Sequence, residues 1–175
     1  MMSATVQLRP MQPGDDAFLR RLYAEVRAPE IALTGWDAAA ADAFLRMQFD
    51  AQHKHYQQHY PAARFDVVEQ DGVPVGRLYV ARGADEIRVI DISLLAAWRG
   101  QGIGATLLGA LQDEARLDGR SVTIHVEQHN PALTLYARLG FTHIDTNGLY
   151  RLMAWRPATP ANAPTTTALP SLDTQ

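Results

Sequence analysis

Cysteine is absent from this 175-residue chain, which excludes disulfide bridges and a thiol nucleophile. Lysine is nearly absent: Lys54 stands alone beside 15 arginines, and the net charge is −3. With no basic excess, nucleic acid is not an expected general partner. No apolar run approaches the ~20 residues that a bilayer-spanning helix needs, so a membrane is not an expected partner either. Met1 to Pro10 lack the basic-then-apolar pattern of a secretory leader. A single soluble, cytoplasmic domain with a proper core is the expectation from length and composition.

What is present alternates between strand-like and helix-like segments. Thr5 to Arg9 reads as a short strand, and Gly14-Asp15-Asp16 opens a helix. Phe18, Leu22 and Val26, with Leu19 and Tyr23 beside them, give that helix an apolar face down to about Arg27. Ala28 to Gly35, containing Pro29, reads as a loop, and Trp36 to about His59 as a second helix that Pro61 stops. Phe65 to Glu69 and Val75 to Arg82 are strands joined at Asp71-Gly72, a hairpin signal. Ile87 to Leu95 is the next strand and Val122 to Val126 the one after it, with a helix from Gly102 to about Leu117 between. A strand–helix–strand run of this length makes a right-handed crossover, so these two strands are parallel. Phe141 to Asp145 and Tyr150 to Trp155 close the pattern as a hairpin around Asn147-Gly148, read as a type I′ turn. The result is an α/β (α+β) chain with a mixed, mostly antiparallel sheet and a central parallel pair flanked by helices. Residues 157–175, with four prolines and five threonines, are expected to form a disordered tail after a domain of residues 1–156.

The sharpest feature is Arg99-Gly100-Gln101-Gly102-Ile103-Gly104, placed where strand hands over to helix. Free backbone N–H groups and the positive end of a helix dipole coincide there, which favours a phosphate or pyrophosphate. Gly102 and Gly104 let a ligand come against the main chain. A Walker loop fails, because Gly-Lys-Ser/Thr is missing. A dinucleotide fingerprint fails too, because Leu107 stands where its third glycine belongs. The spacing that remains, Arg99-x-x-Gly102-x-Gly104, resembles the acetyl-coenzyme A signature of the Gcn5-related N-acetyltransferases. About 25 residues on, Asn130-Pro131-Ala132-Leu133-Thr134-Leu135-Tyr136-Ala137-Arg138-Leu139-Gly140-Phe141 resembles the second signature of that family. Local physics agrees, with Asn130 as N-cap, Pro131 at the first helical position and Gly140 in a left-handed stop.

The resemblance covers roughly residues 5 to 156 and implies the acyl-coenzyme A N-acyltransferase fold. It also implies acetyl-coenzyme A as co-substrate, with the acceptor being an amine of a small molecule or a peptide; a homodimer is compatible with it, and no metal is implied. Backbone amides from about Gln101 to Ala105, including Ile103 and Gly104, would hold the pyrophosphate, with Arg99 and Gly100 beside them and Asn130 in the second motif. Main-chain groups of Ile92, Leu94 and Leu95 would run along the pantetheine arm, one amide near Leu94 polarising the thioester carbonyl as an oxyanion hole does. Tyr136 is the expected proton donor to the leaving thiolate. Ala96 stands where the family commonly has proline.

The base is harder to place, because counting with the family's spacing leads to Arg88, which cannot act as one. Asp91 ranks first and Glu127 second, with Glu86 nearby, although simple strand alternation sets Asp91 on the face opposite Arg88, Ile90 and Ile92. His55 and His59, with His53 close by, lack a third metal ligand and read as a solvated or substrate-facing helix. His125 reads as core, or as a residue supporting the site from behind, rather than as a catalytic group. Trp36, Gln48, Gln52 and Tyr56 occupy the segment that forms a substrate wall in relatives. Two further readings stand beside the transferase: an acyl-coenzyme A sensor without catalysis, and glycines that merely turn the chain.

Overall fold

The structure, a computed structural model, describes residues 3–158. The expected tail therefore lies, from residue 159, outside the described residues. Seven strands form one sheet: Val6–Pro10 (β1), Arg64–Gln70 (β2), Val73–Arg82 (β3), Glu86–Leu94 (β4), Ser121–Glu127 (β5), Thr142–Asn147 (β6) and Tyr150–Trp155 (β7). Their spatial order is β1-β2-β3-β4-β5-β7-β6, and only β4 and β5 run parallel. The helices are Asp16–Ala32 (α1), Ala38–His59 (α2), Ile103–Asp118 (α3) and Leu133–Arg138 (α4).

The sheet divides the apolar side chains between two faces. Ile87 and Val89 of β4, with Val122, Ile124 and Val126 of β5, pack under Ile103, Leu107, Leu108 and Leu111 of α3 in the larger core. On the other face Leu19 and Tyr23 of α1 meet Phe49 of α2 in a smaller cluster. The three- and four-residue spacing of apolar positions in α3 explains why that helix lies flat on the sheet. Gly119 then stops it with a left-handed φ of 71°. Among the described residues no helix is long and apolar enough to cross a membrane.

Four local expectations need correction. Helix α1 passes through Pro29 to Ala32, where a loop was expected. Proline's fixed φ suits a helix, and so near the end it removes a single hydrogen bond, while Arg27 pairs with Glu30 and Glu127 to hold the last turn. Helix α4 begins at Leu133 and not at Pro131, because Asn130 Oδ1 accepts the Ala132 N–H at 2.8 Å in a turn that precedes the helix. The last hairpin turns on Gly148-Leu149, since Asn147 already pairs with Tyr150. With φ of 61° at Gly148 and no positive φ at Leu149, the turn has the type II′ pattern, glycine first, and not type I′. The Asp71-Gly72 turn does have positive φ at both residues, 50° and 80°.

The fourth correction shapes the site. Tyr79 pairs with Asp91 and Val80 with Val89, so Ile90 is an extra residue on β4. Such a bulge turns the side chains beyond it by one position. Asp91 therefore shares a face with Arg88, contrary to simple alternation, and Ile92 joins the larger core together with Ile87 and Val89.

Strands β3 and β4 approach closely past this bulge. A Cβ on Gly76 would stand 2.3 Å from the Ser93 carbonyl oxygen and 2.7 Å from Leu94 Cδ2. Gly76→Ala is expected to lower stability by about 1–3 kcal/mol in denaturant unfolding, as overpacking does. Gly109→Ala, in α3 with open space around it, is expected to raise stability by about 0.5–1 kcal/mol.

Candidate active site

Strands β4 and β5 stay together for four residues only, from Glu86 beside Ser121 to Val89 beside Ile124. Beyond Ile90 each strand keeps its outer partner, β4 to β3 and β5 to β7, and a gap opens between them. The Leu95 N–H bonds the Val75 carbonyl at 2.8 Å. By antiparallel alternation, Leu94 opposite Gly76 and Ile92 opposite Leu78 then occupy positions whose main-chain groups turn away from β3. Those groups face the gap. Leu95 differs from the expectation: its N–H is spent on Val75 and its carbonyl accepts Trp98 N–H at 2.9 Å, so its main chain has nothing left for a ligand.

The chain leaves β4 through a 3-10 turn, Ala96–Trp98, and reaches α3 at Ile103. Gly100 and Gly102 take left-handed φ values of 72° and 86°, with open space where a Cβ would stand. The first amide satisfied inside the helix is that of Thr106, bonded to the Gly102 carbonyl at 3.0 Å. The N–H groups of Ile103, Gly104 and Ala105 precede it and lack helical partners. Arg99 is anchored by its Nε on the Leu94 carbonyl at 2.9 Å, which leaves the outer guanidinium nitrogens near the turn. Gln101 bonds back to the Ala97 carbonyl at 2.9 Å. These donors and this clearance suit a diphosphate laid against the main chain.

Tyr136 lies on α4 and is 4% exposed. Burial pushes its phenol up to about 12, with the Asp91 charge adding to the effect. The helix that carries it is pinned from three sides. Gln112 of α3 donates to the Leu139 carbonyl at 2.9 Å. Leu135 lies against Gly104, 3.3 Å from where a Cβ would stand, and Trp155 against Gly140.

Asp91 sits on the opposite face in a closed network. Arg77 donates to both of its oxygens, Nε at 3.2 Å and a terminal nitrogen at 2.8 Å. Ser93 adds a bond at 2.6 Å and Tyr56 one at 3.4 Å, while Arg77 also holds Gln52 at 2.7 Å. Burial alone would raise the Asp91 carboxyl, but the Arg77 guanidinium and these hydrogen bonds hold it below its ordinary value. A carboxylate so satisfied is a poor proton acceptor. The geometry thus speaks against Asp91 as the free base that was expected.

A sequence model of the acetyltransferase (GNAT) family matches residues 30–141, from the end of α1 through Phe141. The chain belongs to this family. The fold is shared with the PaiA N-acetyltransferase of Thermoplasma acidophilum, solved with coenzyme A, at a TM-score of 0.66 and 16% identity over 87% of this chain and 99% of that one. An acetyltransferase of Thermus thermophilus superposes at 0.63 with 23% identity, over 87% and 97%. Arabidopsis thaliana Naa50, solved with the bisubstrate analogue CoA-Ac-MVNAL, superposes at 0.56 with 16% identity, over 85% and 96%. The mixed sheet with its parting parallel pair is the GNAT acyl-coenzyme A N-acyltransferase fold.

On the α2 side of the GNAT sheet, a cavity of about 310 Å³ opens where the two strands part. Gln52 and Tyr56, two of the expected wall residues, line it with His55; Trp36 and Gln48 do not. Trp36 instead packs edge-on to Phe44, 5.0 Å away. His55 lies 4.0 Å from the His59 ring, while His53 stacks on Phe49, and among the described residues no cluster suited to a metal ion occurs. His125, expected in the core or supporting the site from behind, is exposed at the cavity with Arg88 beside it. Glu127 is bound to Arg27 at 3.3 Å. The Asn130 side chain keeps its NH₂ group free, its oxygen being used by Ala132.

Arg77 was missed by the sequence reading. A charge set between Gly76 and Leu78 inside the apolar part of β3, with an acid, Asp91, among the aliphatic residues of the next strand, was the signal available. Asp91→Asn would leave Arg77 buried without a counter-charge, and the expected loss is about 3–5 kcal/mol by denaturant unfolding. Because the folded carboxyl lies below its reference value of 3.8, its contribution is full above that pH. It is lost as pH falls through the lower folded value, so the acid limb of the stability profile should flatten in Asp91→Asn.

Proposed function

We propose that this chain transfers the acetyl group of acetyl-coenzyme A to the primary amine of a small molecule or peptide by direct attack. The observation that carries the reading is the gap between β4 and β5, with a glycine turn rich in free N–H groups beside it and a buried phenol on α4 behind it. The diphosphate would lie on Ile103, Gly104 and Ala105, with Gly100, Gln101 and Gly102 forming the turn and the outer nitrogens of Arg99 supplying charge. The pantetheine arm would follow the main-chain groups of Ile92 and the N–H of Leu94, whose carbonyl is taken by Arg99, and Asn130 would meet it from the second motif. The Leu94 N–H would draw charge onto the thioester oxygen.

The neutral amine attacks the thioester carbon, forming the C–N bond, and the C–S bond then breaks. Tyr136, protonated at every neutral pH because its pKa is about 12, gives its proton to the leaving sulfur. The proton shed by the new amide nitrogen restores the phenol directly or through water. Asp91 acts as a fixed charge that holds Arg77, Gln52 and Tyr56 in place and not as a base, and among the described residues no unpaired carboxylate lines the cavity. The same pairing favours one competing reading, an acyl-coenzyme A sensor, since a site without a free base binds the thioester whether or not it turns over.

Thiol release against a panel of amines separates the two readings, because a sensor binds without release. Tyr136→Phe is expected to lower kcat about a hundredfold, in the range typical of a lost general acid, while calorimetric affinity for coenzyme A stays unchanged. Coenzyme A at a hundred times its Kd should stabilise the protein by about 2.7 kcal/mol. No upward shift in melting temperature would return the glycines to plain turns.

A further inference from the structure

The cavity on the α2 side has an uneven polarity. Its walls include Tyr56 of α2, Tyr60 just beyond the end of α2, Arg88 of β4, His125 of β5 and Tyr150 of β7, and among the described residues no acidic side chain lines it. The acidic residues of β4 and β5, Glu86, Asp91 and Glu127, are each held by an arginine. Arg77 binds Asp91 at 2.8 Å, Arg27 binds Glu127 at 3.3 Å and Arg88 binds Glu86 at 3.2 Å. An acceptor with several ammonium groups would find no free counter-charge among them.

Hydrogen-bond donors are in surplus instead. Arg88 gives its Nε–H to Thr123 at 2.7 Å and one terminal N–H to His125 Nδ1 at 3.0 Å. Thr123 in turn donates to Glu86 at 2.7 Å, so the cluster is fixed from the strand outward. A guanidinium can only donate, so Nδ1 must be the accepting nitrogen and His125 carries its proton on Nε2. Partial desolvation at the cavity and the Arg88 charge lower the ring's pKa, in the direction of the neutral form. Its free side is therefore an N–H donor at the cavity and not a proton acceptor. Aromatic walls and about 310 Å³ suit a ligand of amino-acid size.

We infer that the acceptor is a small amine whose molecule also bears a carboxylate, in the manner of an amino acid, and not a polyamine. The carboxylate is received by His125 Nε2–H with the remaining Arg88 N–H beside it, and the aromatic walls take the apolar body. This assignment rests on the transferase reading above, which identifies the cavity as the acceptor's.

The test compares phenylalanine, phenethylamine and spermidine as acceptors in thiol release from acetyl-coenzyme A, and as ligands of the coenzyme A-loaded protein by saturation-transfer NMR. Phenylalanine is expected to exceed phenethylamine by about tenfold or more in kcat/KM, as a lost charge-assisted hydrogen bond implies, with spermidine slower still. His125→Leu should reduce that ratio about tenfold, whereas His125→Gln, which keeps a donor near the Nε2 position, should preserve it. Equal or faster turnover of spermidine or phenethylamine overturns the assignment and leaves the transferase reading standing. An unchanged ratio in His125→Leu overturns it as well. Selective binding of phenylalanine without thiol release supports the pocket's specificity and overturns the transferase reading. No binding of phenylalanine by the loaded protein overturns the pocket assignment.

Discussion

Everything at the site depends on the early end of one ladder. Strands β4 and β5 share four residue pairs and then separate, at the point where Ile90 is inserted into β4. A bulge bends and twists the strand that carries it. Here the bend falls where β4 would otherwise continue alongside β5. Buried peptide groups ordinarily find partners, so the free edge created at Ile92 and Leu94 is a template waiting for something extended to lie along it. The glycine turn beyond adds a second requirement, a group that can accept from successive N–H donors at a helix start.

The arginines do much of the remaining work. Lysine's flexible ammonium is a poor substitute for a planar fork that grips a carboxylate with two bonds, and this chain uses almost none. Arg77 fixes Asp91 across β3 and β4, Arg88 ties Glu86 and Thr123 across β4 and β5, and Arg27 fastens the end of α1 to the last residue of β5. The pair at Arg77 is nearly dry, with the arginine side chain 4% exposed, and a buried pair gains more in fixed geometry than in net stability.

Much of this was legible in the residue order. The hairpin at Asp71-Gly72, the helix stop at Gly119, the parallel crossover and both family motifs depend on local chemistry, and local chemistry is what a sequence displays openly. What stayed hidden depended on neighbours far along the chain. A single extra residue at Ile90 leaves no mark in a run of β-branched side chains, yet it reverses the faces of Asp91 and Ile92. Pro29 looked like a loop because proline usually ends a helix. Only the anchoring of Arg27 on a strand 100 residues away shows why the helix carries on. Asp91 looked like a base until Arg77 was seen to occupy both of its oxygens, and His125 looked like a core or supporting residue until the parting of the strands left it beside a cavity.

Helix α4 has six residues, far too few to hold its shape in water unaided. Its order is borrowed from Gln112, from the contact of Leu135 with Gly104 and from Trp155 against Gly140. The phenol proposed as proton donor therefore stands on the shortest of the described α-helices, one whose local opening needs less free energy than the unravelling of the sheet beneath it. On warming, the phenol would lose its station while the strands still hold, and any chemistry that needs it would fade before the fold melts.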